Sequence, residues 1–314
     1  MSEINNQNEL KKQTAVKRSK KKRRARKKKI YNTIIVFLCI VLFVCLFNIG
    51  SYFWQDFSNN DFNDDLAGEF ISYGDSSDIS SDGNNSDGGS GDGSAAGGKG
   101  GGSGSKKEIK VPESIDFVAL KEKYKDSVGW IFSKNGVINY PIVQAKDNSY
   151  YLNRLPNGKK NINGSIFMDY RFSSNFKSAN TIIYGHSMDN GSMFRTLLNY
   201  KKQSYYEKYP EMYIYTPNGR SKLLIFAAYE TKGDDMVYNG VLNENGFNKF
   251  VAYAISKSKI KTKVEVGVGD KLVSLSTCAY SSKNARFIVV GKLVDDNGAS
   301  DKSIGANYYL KPLS

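Results

Sequence analysis

Between Ile30 and Trp54 this chain of 314 residues carries no charge, and Ile34–Phe47 is an unbroken run of Ile, Val, Leu, Phe and Cys. About 20 apolar residues in a helix cross the hydrocarbon of a bilayer. The stretch reaches that length and ends in Tyr52, Phe53 and Trp54, side chains suited to a membrane interface. It therefore partitions the chain: the segments on either side of it must fold separately. A cleaved secretory signal would have a shorter apolar region and a small-residue cleavage site, for which Asn48-Ile49-Gly50-Ser51 is a weak candidate. An uncleaved signal anchor over 30–54 is the reading adopted.

Charge supports that division. Residues 1–29 hold thirteen Lys/Arg against two Glu, a net of +11, which leaves only +3 of the overall +14 for everything else. The run from Lys17 to Lys29 (KRSKKKRRARKKK) lies directly before the apolar span. In that place it sets topology, with the basic tail in the cytoplasm and the C-terminal bulk outside the cell. It also touches anionic lipid heads. Membrane lipid is the expected partner of this tail, and nucleic acid is not.

After the span comes a Gly/Ser/Asp-rich stretch over 55–110, in which Asp75–Ser105 contains almost no apolar residue beyond Ile79 and two alanines. Such a composition buries too little apolar surface to offset the entropy of ordering it. It predicts a flexible tether whose r.m.s. span, as a 50-residue coil, is about 40 Å. Residues 111–314 are globular in composition and long enough for one domain with a real core. Ser114 is placed to cap a short helix ending near Tyr124, and Ser192 to cap another over Met193–Tyr200. Phe247, Phe250, Val251, Ala254 and Ile255 recur at helical spacing, which predicts an amphipathic helix over Phe247–Lys257. Strands are expected at Gly129–Ser133, Asn139–Gln144, Gly164–Asp169, Thr181–Tyr184, Met212–Thr216, Leu223–Tyr229, Lys271–Thr277 and Arg286–Val294. Eight short strands with few helices point to a mainly β fold, a closed or nearly closed barrel with helices outside it.

The chemistry-bearing residues are few. There is one histidine, His186, and one cysteine beyond the apolar span, Cys278; Cys39 and Cys45 lie within it. A lone cysteine in an exported domain has no partner for an internal disulfide. It is either an inert buried thiol or a reactive one. Ser274-Leu275-Ser276-Thr277-Cys278 reads as a strand ending at the cysteine, and Arg286-Phe287-Ile288-Val289-Val290 as a strand beginning at the arginine. A seven-residue connection makes such neighbours antiparallel and sets Cys278 beside Arg286. A guanidinium there favours the thiolate and can donate to an oxyanion. His186 follows Ile182-Ile183-Tyr184-Gly185, again at a strand end. Base, nucleophile and oxyanion donor together suggest acyl transfer through a thioester. Asp169 is either an orienting acid or a local backbone acceptor. One histidine and one cysteine cannot form a typical zinc site, and no cofactor is expected.

Four stretches occur in the order found in class B sortases: Asp147-Asn148-Ser149-Tyr150-Tyr151-Leu152, Gly164-Ser165-Ile166-Phe167-Met168-Asp169-Tyr170-Arg171, Asn180-Thr181-Ile182-Ile183-Tyr184-Gly185-His186, and Leu275-Ser276-Thr277-Cys278 with Arg286. Over about Ser114–Leu313 the chain resembles that family of membrane-anchored cysteine transpeptidases of Gram-positive bacteria. The resemblance implies the sortase eight-stranded barrel. It implies Cys278 as nucleophile, His186 as acid and base, and Arg286 as holder of substrate backbone and oxyanion. Asn148, Leu152, Tyr184 and Ser276 match positions lining the family's peptide groove. The implied partners are surface proteins bearing a C-terminal sorting signal, cleaved after threonine, and an amine of the peptidoglycan precursor. Two departures stand out: Ser274 replaces a usual threonine, and Gly233-Asp234-Asp235-Met236-Val237-Tyr238 matches the family's substrate-contact loop poorly. The competing readings are a tethered binding module with a buried structural cysteine, and a cell-wall cysteine hydrolase or L,D-transpeptidase-like enzyme. The latter places His, Gly, Cys and Arg in a tighter local order than this chain has.

Overall fold

Strand periodicity of two sends alternate residues to opposite faces of a sheet, and here both faces are covered. In the computed structural model, which describes residues 2–73, 109–240, 243–279 and 284–296, eight strands close into a barrel. They are β1 (Ser127–Ser133), β2 (Asn139–Val143), β3 (Ile166–Met168), β4 (Asn180–Tyr184), β5 (Glu211–Thr216), β6 (Gly219–Lys232), β7 (Lys271–Cys278) and β8 (Ala285–Asp295). Around the barrel the order is β8-β6-β5-β1-β2-β3-β4-β7. The β2–β3 and β4–β7 pairs are parallel and the rest antiparallel. Inward residues such as Ile131, Ile182, Ile225, Leu275, Phe287 and Val289 fill the barrel. Their neighbours in sequence, Phe226, Ile288 and Val290, face outward onto the helix Glu244–Lys257.

The expected fold is therefore the observed one, and all eight strands lie where sequence placed them, with ends shifted by a few residues. The helices depart more. The chain forms two compact units, Met1–Phe57 and Ser58–Ser314. Helix α1 (Ser2–Phe70) contains, within Arg26–Phe70, a segment long and apolar enough to cross a membrane. It continues past residue 55, where the tether was expected to begin. Asn59, Asn63, Leu66 and Phe70 form one helical stripe and are all buried in the second unit. Leu66 and Phe70 pack with Phe117, Leu120, Trp130 and Tyr215. Fully burying each such side chain is worth roughly 2–3 kcal/mol. The stripe escapes a compositional reading because Asp and Asn surround it.

Beyond the helix, Ile71–Ser72 pairs antiparallel with Ser114–Ile115. Backbone bonds Glu113 N to Ser72 O (2.9 Å) and Asp116 N to Phe70 O (3.0 Å) reinforce the pair. The two ends of the Gly/Ser/Asp-rich stretch are thus joined at their base; residues 74–108 themselves lie outside the described residues.

Three helix starts differ from expectation. Helix α2 (Phe117–Lys123) is capped by Asp116, whose carboxylate accepts from the Val118 and Ala119 amides, both at 3.0 Å; Ser114 is taken by the strand pair. The Met193–Tyr200 helix is a 3-10 helix over Arg195–Lys201, because Met193 has φ +56 and cannot be helical. Helix α3 (Gln203–Lys208) follows it. Helix α4 (Glu244–Lys257) begins a turn earlier than the apolar pattern, because Asn243 accepts from the Gly246 amide at 2.8 Å.

Candidate active site

Sheet register brings the site together. In the β7–β8 ladder Cys278 stands directly opposite Arg286. On the other side of β7 the parallel strand β4 pairs Tyr184 with Ser276, and the Gly185 amide donates to the Ser276 carbonyl at 3.1 Å. His186 is two residues past Tyr184, and Cys278 is two past Ser276. Parallel pairing carries both to the same rim of the barrel. All three side chains are partly exposed, so Cys278 is not a fully buried thiol. They line one cleft of about 370 Å³.

Asn148, Leu152, Tyr184 and Ser276 line the same cleft. Every residue singled out in the sequence for catalysis or peptide binding thus converges on one place. The cleft also contains Phe167, Gly185 and Thr277 from the matching stretches, Gly233 and Tyr238 from the poorly matching substrate-contact loop, and Asn284; none of these had been given a role from sequence.

The histidine ring is held by a backbone carbonyl. Its Nε2 lies 2.7 Å from the Leu152 carbonyl oxygen. A carbonyl only accepts, so Nε2 carries the proton in this arrangement. Leu152 belongs to a 3-10 turn, Tyr150–Asn153, fixed by the Asp147 carboxylate through the Ser149 and Tyr150 amides (2.7 and 2.8 Å). Gly164, at φ +59, backs onto this turn; a Cβ there would lie 2.5 Å from the Leu152 oxygen. Gly185 is equally constrained, since a Cβ would meet Ile166 Cδ1 at 2.5 Å and the Phe194 ring at 2.7 Å. Both glycines allow close approach of backbone to the groups that set His186.

One wall of the cleft is a pair of stacked phenols. The Tyr184 and Tyr238 rings are 6.2 Å apart and inclined by 11°. Tyr238 shares a hydrogen bond of 2.8 Å with the Ser276 hydroxyl. Burial pushes its phenol up, against the opposing effects of the Ser276 hydrogen bond and the Arg286 charge. Tyr184 donates to Asp169 Oδ2 at 2.9 Å; burial and the neighbouring carboxylate push its phenol well up. Both phenols are neutral at physiological pH. Tyr238 comes from the stretch 233–238 that matched the family poorly, and no local spacing marks it; only the fold carries it to the cleft.

Asp169 is fully buried and accepts from the Arg171 Nε and Nη2 atoms at 2.9 and 2.8 Å. Burial raises its carboxyl, but the Arg171 hydrogen bonds and charge and the Tyr184 hydroxyl bring it below the usual carboxylate range. It holds Tyr184 and its own loop, and among its hydrogen bonds none reaches His186. Beneath the cleft, the Ser274 hydroxyl donates to Asn180 Oδ1 at 2.8 Å across the β4–β7 pair. The change from threonine thus keeps a buried hydroxyl with a partner. Arg286 donates Nη1 to the Ala285 carbonyl at 3.1 Å. Among the described residues no carboxylate lies within ion-pair distance of it. Among the described residues no group of three or more His, Cys, Asp or Glu is placed to hold a metal ion.

A family model for the sortase domain matches residues 134–294, which span every element of this cleft. The chain belongs to the sortase family. It is 37% identical over 181 residues to sortase B of Staphylococcus aureus, an alignment covering 57% of this chain and 74% of that protein. The solved Staphylococcus aureus sortase B–substrate complex superposes with a TM-score of 0.54 at 37% identity, covering 57% of this chain and 85% of that one. A sortase B structure complexed with triglycine gives the same TM-score and identity, over 57% of this chain and 86% of that one. Class B membership makes the protein a cysteine transpeptidase of the cell wall.

Proposed function

We propose that this sortase cleaves a C-terminal sorting signal after threonine and transfers the new acyl group to an amine of the peptidoglycan precursor. The observation that carries the reading is the register at the rim: Cys278 opposite Arg286, with His186 on the parallel neighbour, in one cleft. Cys278 Sγ attacks the threonine carbonyl, and the Arg286 guanidinium stabilises the tetrahedral oxyanion. The C–N bond breaks as His186 gives its proton to the leaving amine, and a thioester remains. The acceptor amine then attacks the thioester, returns a proton to His186, and releases the thiolate as the new C–N bond forms. Asn148, Leu152, Tyr184 and Ser276 hold the peptide. The triglycine complex of the sortase B relative is in keeping with an amine-bearing acceptor, and the Staphylococcus aureus substrate complex with a peptide in this cleft.

The basic tail and apolar span support a single-pass orientation with the N-terminus in the cytoplasm and the barrel outside.

The test uses the full chain in detergent with peptides of the N-P-x-T-x, L-P-x-T-G and S/P-P-x-T-G types, with and without an added amine. Mass spectrometry should find cleavage after threonine and amine transfer to the new carboxyl, both lost in Cys278→Ala. Cleavage at another bond, or cleavage that survives Cys278→Ala, would overturn the reading.

A further inference from the structure

Behind His186 lies a chain of contacts that begins in α1. Asn59 is fully buried, and its Nδ2 donates to Met193 Sδ at 3.9 Å. Its Oδ1 finds no donor among the described residues. On a buried stripe an apolar side chain would avoid the desolvation of this amide, so the side-chain hydrogen bond to Met193 is the feature that sets asparagine apart.

Met193 is buried and closes the hairpin after the histidine, bridging Ser187 in antiparallel fashion. It has φ +56, a left-handed conformation that a non-glycine residue keeps only where its surroundings over-determine it. Three contacts bear on it: the Ser187 bridge and the Tyr140 hydroxyl, which accepts from its amide at 3.0 Å, hold the backbone, and Asn59 holds the sulfur. The next residue, Phe194, donates its amide to the His186 carbonyl at 2.8 Å and lays its ring against Gly185. Movement of Met193 is therefore passed through one peptide bond to the backbone of the histidine.

We propose that Asn59 is a positioning residue for the transpeptidase reaction: by fixing Met193 in its left-handed conformation it sets the backbone of His186 against the cleft. The proposal rests on the role given to His186 above. It makes a side chain from the part of α1 that lies within the expected tether part of the catalytic geometry, although it touches neither substrate nor thiol. Small displacements of a reacting group far from any lost contact slow an enzyme strongly, and the peptide groove is left unaltered.

The test measures kcat, KM and melting temperature of the full chain in detergent for Asn59→Leu, Met193→Leu, the double variant and Leu66→Ala. Iodoacetamide alkylation of Cys278 is measured alongside. Asn59→Leu is expected to lower kcat about tenfold with KM, melting temperature and alkylation rate held. Met193→Leu should do the same, and the double variant should be no worse than either, as for two partners in one contact. Leu66→Ala lies on the same stripe without touching Met193, and should lower the melting temperature with kcat kept. The proposal is overturned if both single leucine variants keep kcat within about twofold of the parent. It is equally overturned if their kcat falls only in step with melting temperature, as a merely structural contact would give. A parent chain that transfers no peptide at all would instead overturn the role of His186, a distinct result.

Discussion

The rim of the barrel and the helical segment Ser58–Phe70 both act on the loop that carries His186, yet they are built by different means. At the rim, backbone register does the work: two ladders share strand β7, and chemically distinctive side chains lie at or within two residues of the strand ends. In the helix, a sparse stripe of Asn59, Asn63, Leu66 and Phe70 finds its surface by packing with residues distant in the chain. A register error at the rim would move every side chain to the other face, so that assembly is strongly specified by local pattern. A packing stripe with only two strongly apolar members, Leu66 and Phe70, is specified only by the surface it meets. Proximity to function thus does not track how conspicuous a segment is.

The largest effect should come from the rim. His186→Ala is expected to reduce transfer roughly 10³-fold while the melting temperature holds, because the ring is partly exposed and packs little core. A melting drop as deep as that of a core mutation would erase the contrast between the two regions.

The helix should behave in the opposite way. Phe70→Ala, at 3% exposure against α2 and the barrel wall, is expected to cost about 3 kcal/mol of stability. Activity per folded molecule should be kept. Urea denaturation paired with active-site titration reads both; normal stability in this variant would mean the segment does not pack as described.

Asp169 sharpens the comparison because it joins structure to the cleft through Tyr184. Its carboxyl is depressed in the fold, so its contribution is present above the unfolded value near 3.9 and is lost as pH falls through the depressed folded value. Asp169→Asn should cost about 2 kcal/mol at pH 7, with the deficit shrinking below about pH 4. Thermal melts of both proteins from about pH 7 to about pH 3 should converge; a gap that widens on acidification would contradict the sign.

The smallest expected effect concerns the joined base of the Gly/Ser/Asp-rich stretch. A protease site inserted near Lys99 and cut in membranes should leave the barrel fragment with the membrane pellet, held by the Ile71–Ser72 pairing and by Leu66 and Phe70. Release of the barrel into the supernatant would show instead that the stretch is the tether its composition suggests.

Much of the fold was legible. Alternating apolar residues marked all eight strands, and the strand that grew most, Gly219–Lys232 against an expected Leu223–Tyr229, did so through polar ends that periodicity does not flag. The convergence of Cys278 and Arg286 followed from strand ends and loop length, and His186 was placed at a strand end of its own. The features that stayed hidden share one property: Tyr238, Asn59 and the capping of α2 by Asp116 depend on what a residue meets across the fold. Ser114 is a good cap by type, but its backbone is already committed to the strand pair.

Sequence alone was enough for the apolar span, the barrel, and three candidate side chains at or near strand ends, because charge, periodicity and strand ends are local quantities. Tertiary structure alone decided where the folded domain begins, which phenols line the cleft, and what holds His186 from behind. Those are matters of contact between segments distant in the chain, and a stripe of four residues carries no record of its partner until the partner surface exists.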